Sequence, residues 1–316
     1  VAATGKLLNI RDVYQLPEDS PFGYNSKYDK LSGYRSTSML TIPLKTNNGD
    51  LLGVIQFINK IASQGEVCPF NQEDEILLTH FAANVTVALQ RAQMTRAILL
   101  RMISMAELRD PKETGPHVNR VAGFAVEIYE RWAAQQGIPE DELQRNRDNL
   151  RMAAMLHDVG KVAISDLILK KPARFTKEEY EIMKTHTLCG ARLFIDTHSE
   201  LDDLAREIAL SHHENWDGTG YPGHVDLVTG KPSGRRRKIS GKKGAEIPFW
   251  GRIVAIADVY DALRNKRVYK EAWTEDEVLN EMRCLSGTKF DPDLVDIFFD
   301  VLPSIQTIAE KYADIE

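Results

Sequence analysis

The chain of 316 residues is 43% hydrophobic and 27% charged, with a formal net charge of −6. This length predicts about two soluble globular domains, and the acidic balance argues against binding to a nucleic-acid polymer. No uninterrupted apolar run of ~18 residues is present, so the sequence predicts no membrane-spanning helix. Cys68, Cys189 and Cys284 are widely spaced and form no C-x-x-C pair, which favours a reducing, cytoplasmic location without disulfides or a thiolate zinc site.

A β-hairpin is predicted near the start of the chain. The segments 38–44 and 51–60 are rich in apolar and β-branched residues, and the polar segment 46–50 between them carries Asn and Gly. Such a pattern is typical of two antiparallel strands joined by a turn. The segments resemble the second half of a GAF domain, whose strands often read S-M-L-x-x-P-L and G-V-x-Q-x-x-N-K. The resemblance covers roughly residues 1–90 and implies a partial α/β GAF-like sensor with an antiparallel sheet, in a domain that we place at 1–93.

A long linking helix is predicted from Asn71 toward Arg109. Asn71 suits the N-cap position, and the acidic residues at 73–75 suit the first turn. Apolar and small residues then alternate at spacings of three and four, which is typical of a coiled-coil seam. The seam residues are Leu78, Phe81, Val85, Ala88, Ala92, Thr95, Leu99, Met102 and Ala106. A parallel homodimer that carries a signal from sensor to effector is the favoured interpretation, and a helix packed only on its own domain is the alternative.

The remainder of the chain, 94–316, is predicted to be all-helical. Apolar residues recur there with a spacing of about 3.6, and Gly, Pro and Asp separate the helical segments. These segments are 117–136, 144–160, 176–196, 201–213, 246–263, 274–285 and 291–301. The predicted fold class is therefore α+β overall, with an N-terminal sheet, a linking helix and a C-terminal all-α domain.

Polar residues interrupt the apolar helices in three places. His157, Asp158 and Lys161 follow an apolar run at 152–156. Burial of an imidazole, a carboxylate and an ammonium group without partners would cost several kcal/mol, on the order of 3–5. A site that binds a metal ion and phosphate would offset this cost.

A histidine pair and a further carboxylate repeat the pattern. His212 and His213 end another apolar helix, and Asp258 lies within an apolar run. Imidazole and carboxylate groups together suit iron, manganese or zinc rather than calcium, which prefers oxygen ligands. The sequence therefore predicts a metal cluster, and an interior ion pair with Arg or Lys is the alternative for Asp258.

The stretches around these residues resemble the signatures of the HD-GYP phosphodiesterases, which hydrolyse the bacterial messenger cyclic di-GMP. The matching stretches are His157-Asp158-Val159-Gly160-Lys161, the segment 212–222 that ends in Gly220-Tyr221-Pro222, and the segments 184–186 and 257–263. The match is colinear from about Met102 to Phe299. It implies an HD-type helical domain with phosphoric diester hydrolase activity.

The resemblance also implies the ligands of two or three divalent metal ions, for which iron or manganese is expected. The implied ligands are His117, His157, Asp158, His186, His212, His213 and Asp258. Glu113 falls where family members with a third metal place a glutamate, which favours a trinuclear centre. Hydrolysis is then expected to use a metal-bridging hydroxide, with Asp158 as the bridging carboxylate.

Three basic residues are implied to contact the substrate, and one loop is implied to shape the site. Lys161 matches the lysine that contacts phosphate and stabilises the charge that develops there. Arg267 and Lys270 match the basic pair that binds the dinucleotide, and a solvated basic turn is the alternative for them. The loop Gly220-Tyr221-Pro222 is implied to shape the site and to offer a surface to a signalling partner.

One departure from the family pattern is a basic insertion at 223–244. A disordered, solvated loop is expected there, and a flexible basic lid over the site is the alternative. The expected reaction is hydrolysis of cyclic di-GMP to the linear dinucleotide pGpG, and onward to GMP with a third metal, regulated by the GAF-like sensor. Two other functions stay open, a catalytically silent cyclic-dinucleotide receptor that acts through protein partners and an HD-type phosphohydrolase for another nucleotide.

Overall fold

The computed structural model describes residues 1–109, 115–234, 237–264 and 273–313. The chain divides into two compact units, Val1–Leu100 and Arg101–Glu316. The boundary predicted at residue 94 lies inside the helix that contributes to both units, and the assignment of 1–93 and 94–316 to separate functions stays a prediction. Among the described helices, none is both long enough and apolar enough to cross a membrane.

The first unit is built on a small antiparallel sheet. Its elements are β1 (Leu8–Ile10), α1 (Lys27–Ser32), β2 (Met39–Lys45), β3 (Leu51–Ile58), β4 (Lys60–Ile61), β5 (Val67–Cys68) and the start of α2 (Gln72–Glu107). Strands β1, β2 and β3 pair in that order, and Ile42 lies opposite Ile55. Alternate residues of a strand face the same side, so Leu40, Ile42 and Leu44 all pack with Ala82 of α2. The predicted hairpin and antiparallel sheet are confirmed.

Helix α2 is continuous, as predicted, but its predicted seam is not uniform. Leu78 and Val85 pack against the sheet core of the first unit, which supports the alternative interpretation for the first half of the helix. Further along, Ile98, Met102 and Met105 are exposed, and their spacing of four and three places them on one face. A homodimer through this helix stays a prediction.

The second unit is helical, as predicted. Its helices are α3 (Gly115–Gln136), α4 (Glu140–Ala154), α5 (Asp166–Leu169), α6 (Lys177–Lys184), α7 (His186–Arg192), α8 (Glu200–Ser211), α9 (Phe249–Arg264), α10 (Glu275–Cys284), α11 (Pro292–Asp300) and α12 (Leu302–Lys311). The fully buried rings of Phe124, Tyr260 and Phe298 pack edge to face and join α3, α9 and α11. The prediction placed the end of this helix at residue 160. Helix α4 ends earlier, at Ala154, because the chain tightens into a turn and the 3-10 segment Val159–Ala163.

The basic insertion forms an ordered loop over its described residues, in contrast to the expected disorder. Val225 and Pro232 form an antiparallel bridge, and the carboxylate of Asp226 accepts a hydrogen bond from the backbone N–H of Thr229 at 2.8 Å. Arg192 of α7 donates hydrogen bonds to two carbonyl oxygens of the loop, at 2.7 and 3.0 Å. These contacts with α7 come from residues about 35 positions away along the chain, so local composition did not reveal them.

Candidate metal centre

The predicted ligands that the structure describes come from helix ends of the second unit and from α9. His117 lies in the first turn of α3, His157 and Asp158 in the turn after α4, His186 at the start of α7, His212 and His213 directly after α8, and Asp258 within α9. Helix ends leave backbone groups without intrahelical partners, and these groups can orient side chains. The fold therefore collects residues that are up to about 140 positions apart in sequence into one site.

These side chains form two adjacent groups. Within each group, one ligand atom per residue lies within 4.8 Å of all the others. The first group contains Asp158, His186, His212 and His213, and the second contains His117, His157 and Asp258. The groups adjoin at the neighbouring residues His157 and Asp158, so each could hold a metal ion beside the other.

The carboxylate of Asp158 lies between the two groups. Its Oδ1 atom is 3.0 Å from Nε2 of His186 and 3.5 Å from Nε2 of His212. Its Oδ2 atom is 3.4 Å from Nε2 of His157 and 2.8 Å from Nζ of Lys161. Each carboxylate oxygen thus faces a different group of imidazoles.

Hydrogen bonds fix the orientation of three imidazoles. Nδ1 of His157, His186 and His212 lies 2.8, 2.7 and 3.0 Å from a backbone carbonyl oxygen three or four residues earlier. A carbonyl oxygen can only accept, so each Nδ1 carries the proton and each Nε2 of a neutral ring presents a lone pair. Metal-binding histidines are commonly oriented by a second hydrogen bond of this kind.

Buried polar atoms at the site provide a test of whether metal ions fit. Nε2 of His186, Nε2 of His212 and Oδ1 of Asp158 are buried and have no hydrogen-bond partner among the described residues. Lone pairs that face a carboxylate oxygen in a buried site are unfavourable without a cation between them. The donor set and its geometry therefore fit divalent metal ions bound by nitrogen and oxygen.

Burial and neighbouring charges set the protonation of these groups. Burial opposes the negative charge of Asp158, but the Lys161 ammonium and His157 hold its pKa well below the ordinary value. Burial, together with His212 and His186, lowers the pKa of His213 well below the ordinary value for histidine. Neutral imidazoles and ionised carboxylates are the forms that bind divalent metals.

Asp261 supports the second group and was not predicted as a functional residue. Its Oδ2 atom accepts a hydrogen bond from Nδ1 of His117 at 2.7 Å, and its Oδ1 atom accepts one from Nε of Arg120 at 2.5 Å. Burial alone would lower the pKa of His117, but the bond to Asp261 raises it. The spacing of three between Asp258 and Asp261 on one helix face was the signal available in the sequence.

Glu214 supports the loop beside the histidine pair and was also missed. Its side chain is 2% exposed and accepts hydrogen bonds from the backbone N–H groups of Gly223 at 2.6 Å and Lys242 at 3.1 Å. These donors lie at the two ends of the basic insertion, so one carboxylate holds both ends. A Cβ atom at Gly220 would lie 2.2 Å from the backbone nitrogen of Asn215, so this position requires glycine.

The remaining predicted residues fall into two sets. Tyr221 lies in the site, where its ring centroid is 4.9 Å from that of His213 and burial raises its pKa. Pro222 continues the same loop. Glu113, Arg267 and Lys270 lie outside the described residues.

Models of known protein families match both units of the chain. A GAF-domain model matches residues 1–89, an HD-domain model matches residues 114–263, and a second HD-domain model matches residues 233–294. The second unit therefore carries an HD-domain match, and a GAF-domain match precedes it along the chain. The resemblance to the HD-GYP phosphodiesterases preceded by a GAF portion is confirmed.

Several curated phosphodiesterases are similar to the chain. The 3′3′-cGAMP-specific phosphodiesterase 2 of Vibrio cholerae serotype O1 is 36% identical over 217 residues, which are 69% of this chain and 37% of that protein. The cyclic di-GMP phosphodiesterase of Thermotoga maritima is 37% identical over 216 residues, which are 68% of this chain and 51% of that protein. The matched region thus spans about half or less of the length of these relatives.

Proposed function

We propose that the second unit hydrolyses a phosphodiester bond of cyclic di-GMP and releases the linear dinucleotide pGpG. The observation that carries the proposal is the position of Asp158, with one oxygen toward His186 and His212 and the other toward His157. A carboxylate in this position is suited to bridge two ions. In the reaction, a water oxygen bonds to phosphorus while the ribose 3′ oxygen leaves and takes up a proton.

We propose two metal ions in the two groups, and a third if Glu113 contributes as the resemblance implies. Iron and manganese are the ions that we expect, because mixed imidazole and carboxylate ligands suit both. Divalent ions in such a site polarise the phosphate and supply a nucleophile at neutral pH. With a third ion, further cleavage of pGpG to GMP is expected.

Other residues are proposed to bind and orient the substrate. The ammonium of Lys161 lies 2.8 Å from Asp158, so it is placed to donate to a phosphate oxygen next to the bridging carboxylate. Arg267 and Lys270 are proposed to contact the second phosphate of the dinucleotide. Tyr221 is proposed to shape the pocket, since its ring centroid lies 4.9 Å from that of His213.

A second candidate substrate is 3′3′-cGAMP. One relative with 36% identity is named for that substrate, while another with 37% identity is named for cyclic di-GMP. Both molecules carry the same two phosphodiesters and differ in one base. The base contacts therefore decide between them, and the metal site serves either substrate.

Control of the second unit by the GAF domain is part of the proposal. Helix α2 begins in the first unit, and Arg109, directly after its end, donates hydrogen bonds to the carbonyl oxygen of Ile164 at 2.7 Å and to Asp166 at 3.0 Å. It also donates to the carbonyl oxygen of Val162. These acceptors lie one to five residues after Lys161, so a shift at the end of α2 would reach the segment that carries this lysine.

Three further proposals concern partners and location. A homodimer through the exposed apolar face of α2, at Ile98, Met102 and Met105, would bring two chains into register. A signalling protein is proposed to bind at the loop Gly220-Tyr221-Pro222. The three cysteines are free, which supports the cytoplasmic location proposed for the chain.

The substrate proposal is tested by the rates with which the manganese-loaded protein hydrolyses cyclic di-GMP and 3′3′-cGAMP, separately and in competition. A kcat/KM for cyclic di-GMP that is at least about tenfold higher supports it, since one good base contact contributes roughly 1–3 kcal/mol. A preference of that size for 3′3′-cGAMP would favour the second candidate. Tight binding of both without hydrolysis would favour a silent receptor.

A further inference from the structure

A turn between α10 and α11 is fixed against the segment that follows the histidine pair. The backbone N–H of Trp216 donates to the carbonyl oxygen of Lys289 at 3.1 Å, and that of Asp217 donates to the carbonyl oxygen of Thr288 at 2.8 Å. The next residue, Phe290, is 1% exposed in the core. These contacts hold Lys289 beside the loop that leads from His213 to Gly220-Tyr221-Pro222.

The side chain of Lys289 reaches the segment that follows the histidine pair. Its Nζ atom lies 3.4 Å from Oδ1 of Asn215, two residues after His213. Lys289 thus lies beside the segment that carries His213, although it is 74 residues beyond Asn215 in the sequence.

The charge of Lys289 is incompletely compensated within the described part of the chain. Its side chain is half-buried, and burial lowers its pKa. It forms no ion pair with any carboxylate of the described residues, whereas Lys161 is paired with Asp158. A half-buried ammonium group whose near neighbour is a neutral amide is stabilised by an anionic ligand.

We propose that Lys289 binds a non-bridging phosphate oxygen of the substrate and that Asn215 positions its ammonium group. This inference rests on the proposed function, and it adds a cation to those implied by the family resemblance. A lysine provides three donors, so the contact with Asn215 leaves two for an anion. Lys289 would act on binding, because no bond to its nitrogen forms or breaks in the reaction.

The test compares Lys289→Met, Lys289→Gln and Lys289→Arg with the wild-type chain, all loaded with manganese. Two quantities are measured, the dissociation constant of inorganic phosphate by calorimetry and the KM and kcat for cyclic di-GMP. The two uncharged variants are expected to raise both the phosphate dissociation constant and KM by about tenfold or more. Their kcat is expected to stay within about threefold, and Lys289→Arg is expected to recover most of the binding.

Controls separate an effect on phosphate binding from an effect on folding and from the loss of a positive charge elsewhere on the protein. Metal content and Tm should be unchanged in all three variants, and Lys177→Met removes an exposed charge on α6 as a matched control. Unchanged phosphate binding and KM in both uncharged variants would overturn the inference, as would an equal loss in Lys177→Met. If the wild-type chain leaves cyclic di-GMP intact, the proposed function fails, while phosphate binding still decides the role of Lys289.

Discussion

Single residues around the candidate metal centre divide into those whose side chains could bind a metal ion and those that orient these side chains. Asp261 is of the second kind, since it accepts a hydrogen bond from His117 and pairs with the buried Arg120. Glu214 is another, because it holds both ends of the basic insertion. Such residues are expected to control the affinity for metal without touching it.

Replacement of Asp261 tests this role. Asp261→Ala removes the acceptor of His117 and the carboxylate partner of Arg120, so it should lower the free energy of unfolding by about 3 kcal/mol and metal affinity by about 10- to 100-fold. Asp261→Asn keeps a hydrogen-bond acceptor, so it should lose less stability and less metal affinity. Metal counting and urea unfolding of the two variants measure these effects, and full metal affinity in Asp261→Ala would contradict the assignment.

At the scale of elements, the centre depends on the close approach of the 3-10 segment to α7. A Cβ atom at Gly160 would lie 1.9 Å from the carbonyl oxygen of His186 and 2.3 Å from the backbone nitrogen of Gly190. Both contacts are with backbone, which cannot yield without moving a helix. This close approach keeps Oδ1 of Asp158 at 3.0 Å from Nε2 of His186.

Gly160→Ala should therefore force the 3-10 segment away from α7. We expect a loss of about 1–3 kcal/mol in the free energy of unfolding, together with weaker metal binding at Asp158 and His186. Gly23→Ala is the control, because nothing lies within 4 Å of a Cβ atom there, and it should change stability by less than about 0.5 kcal/mol. Equal stability of the two variants would exclude the close approach.

In the first unit, Asp29 organises the segment before β2. It accepts hydrogen bonds from the hydroxyl groups of Tyr24 and Tyr14 and from the backbone N–H of Ser36. The hydrogen bond from Tyr24 is the largest of the effects that lower its pKa, to about 2. Because this pKa lies below the ordinary value, the stabilisation is present above about pH 4 and is lost as the pH falls toward 2.

Asp29→Asn removes the carboxylate charge that causes this pH dependence. The variant should lower the urea midpoint of the first unit at pH 6, followed through the circular dichroism of its tyrosines. The difference from the wild-type chain should shrink when the measurement is repeated at pH 3. A difference that is the same at both pH values would show that the carboxylate charge is not the cause.

At the level of the whole molecule, helix α2 begins in the first unit and ends in the second. Arg109, just after the end of α2, donates hydrogen bonds to the carbonyl oxygens of Val162 and Ile164, which follow Lys161 along the chain. Its removal should free the 3-10 segment without changing the metal ligands.

We therefore expect Arg109→Ala to lower kcat by about 3- to 10-fold, since small displacements at a site reduce rates strongly. Metal content should stay unchanged. Hydrogen exchange of residues 161–166 should become faster, and Arg91→Ala, an exposed position on α2, should change neither quantity. Unaltered exchange and kcat in Arg109→Ala would remove this route of control.

Periodicity predicted most of the fold, and the motifs predicted side chains that the structure brings together in two groups. Long-range contacts account for the features that the sequence did not reveal. The hairpin and the helices follow from spacings of two and 3.6 residues, and the histidine pair stands out because it ends an apolar helix. The order of the basic insertion was not visible, because Arg192 and Glu214 hold it from other parts of the chain. Lys289 was missed for the same reason, since its own neighbours form an ordinary turn.

The proposed function requires that the two groups of side chains around Asp158 bind divalent metals and use them to hydrolyse a cyclic dinucleotide. The most direct measurement is chromatography of the products from cyclic di-GMP and 3′3′-cGAMP after incubation with protein purified anaerobically, with iron and manganese counted on the same sample. We expect a linear dinucleotide or mononucleotides and two or three metals per chain, with both lost in Asp158→Asn. Intact substrates with a full metal complement, or normal hydrolysis by Asp158→Asn, would contradict it.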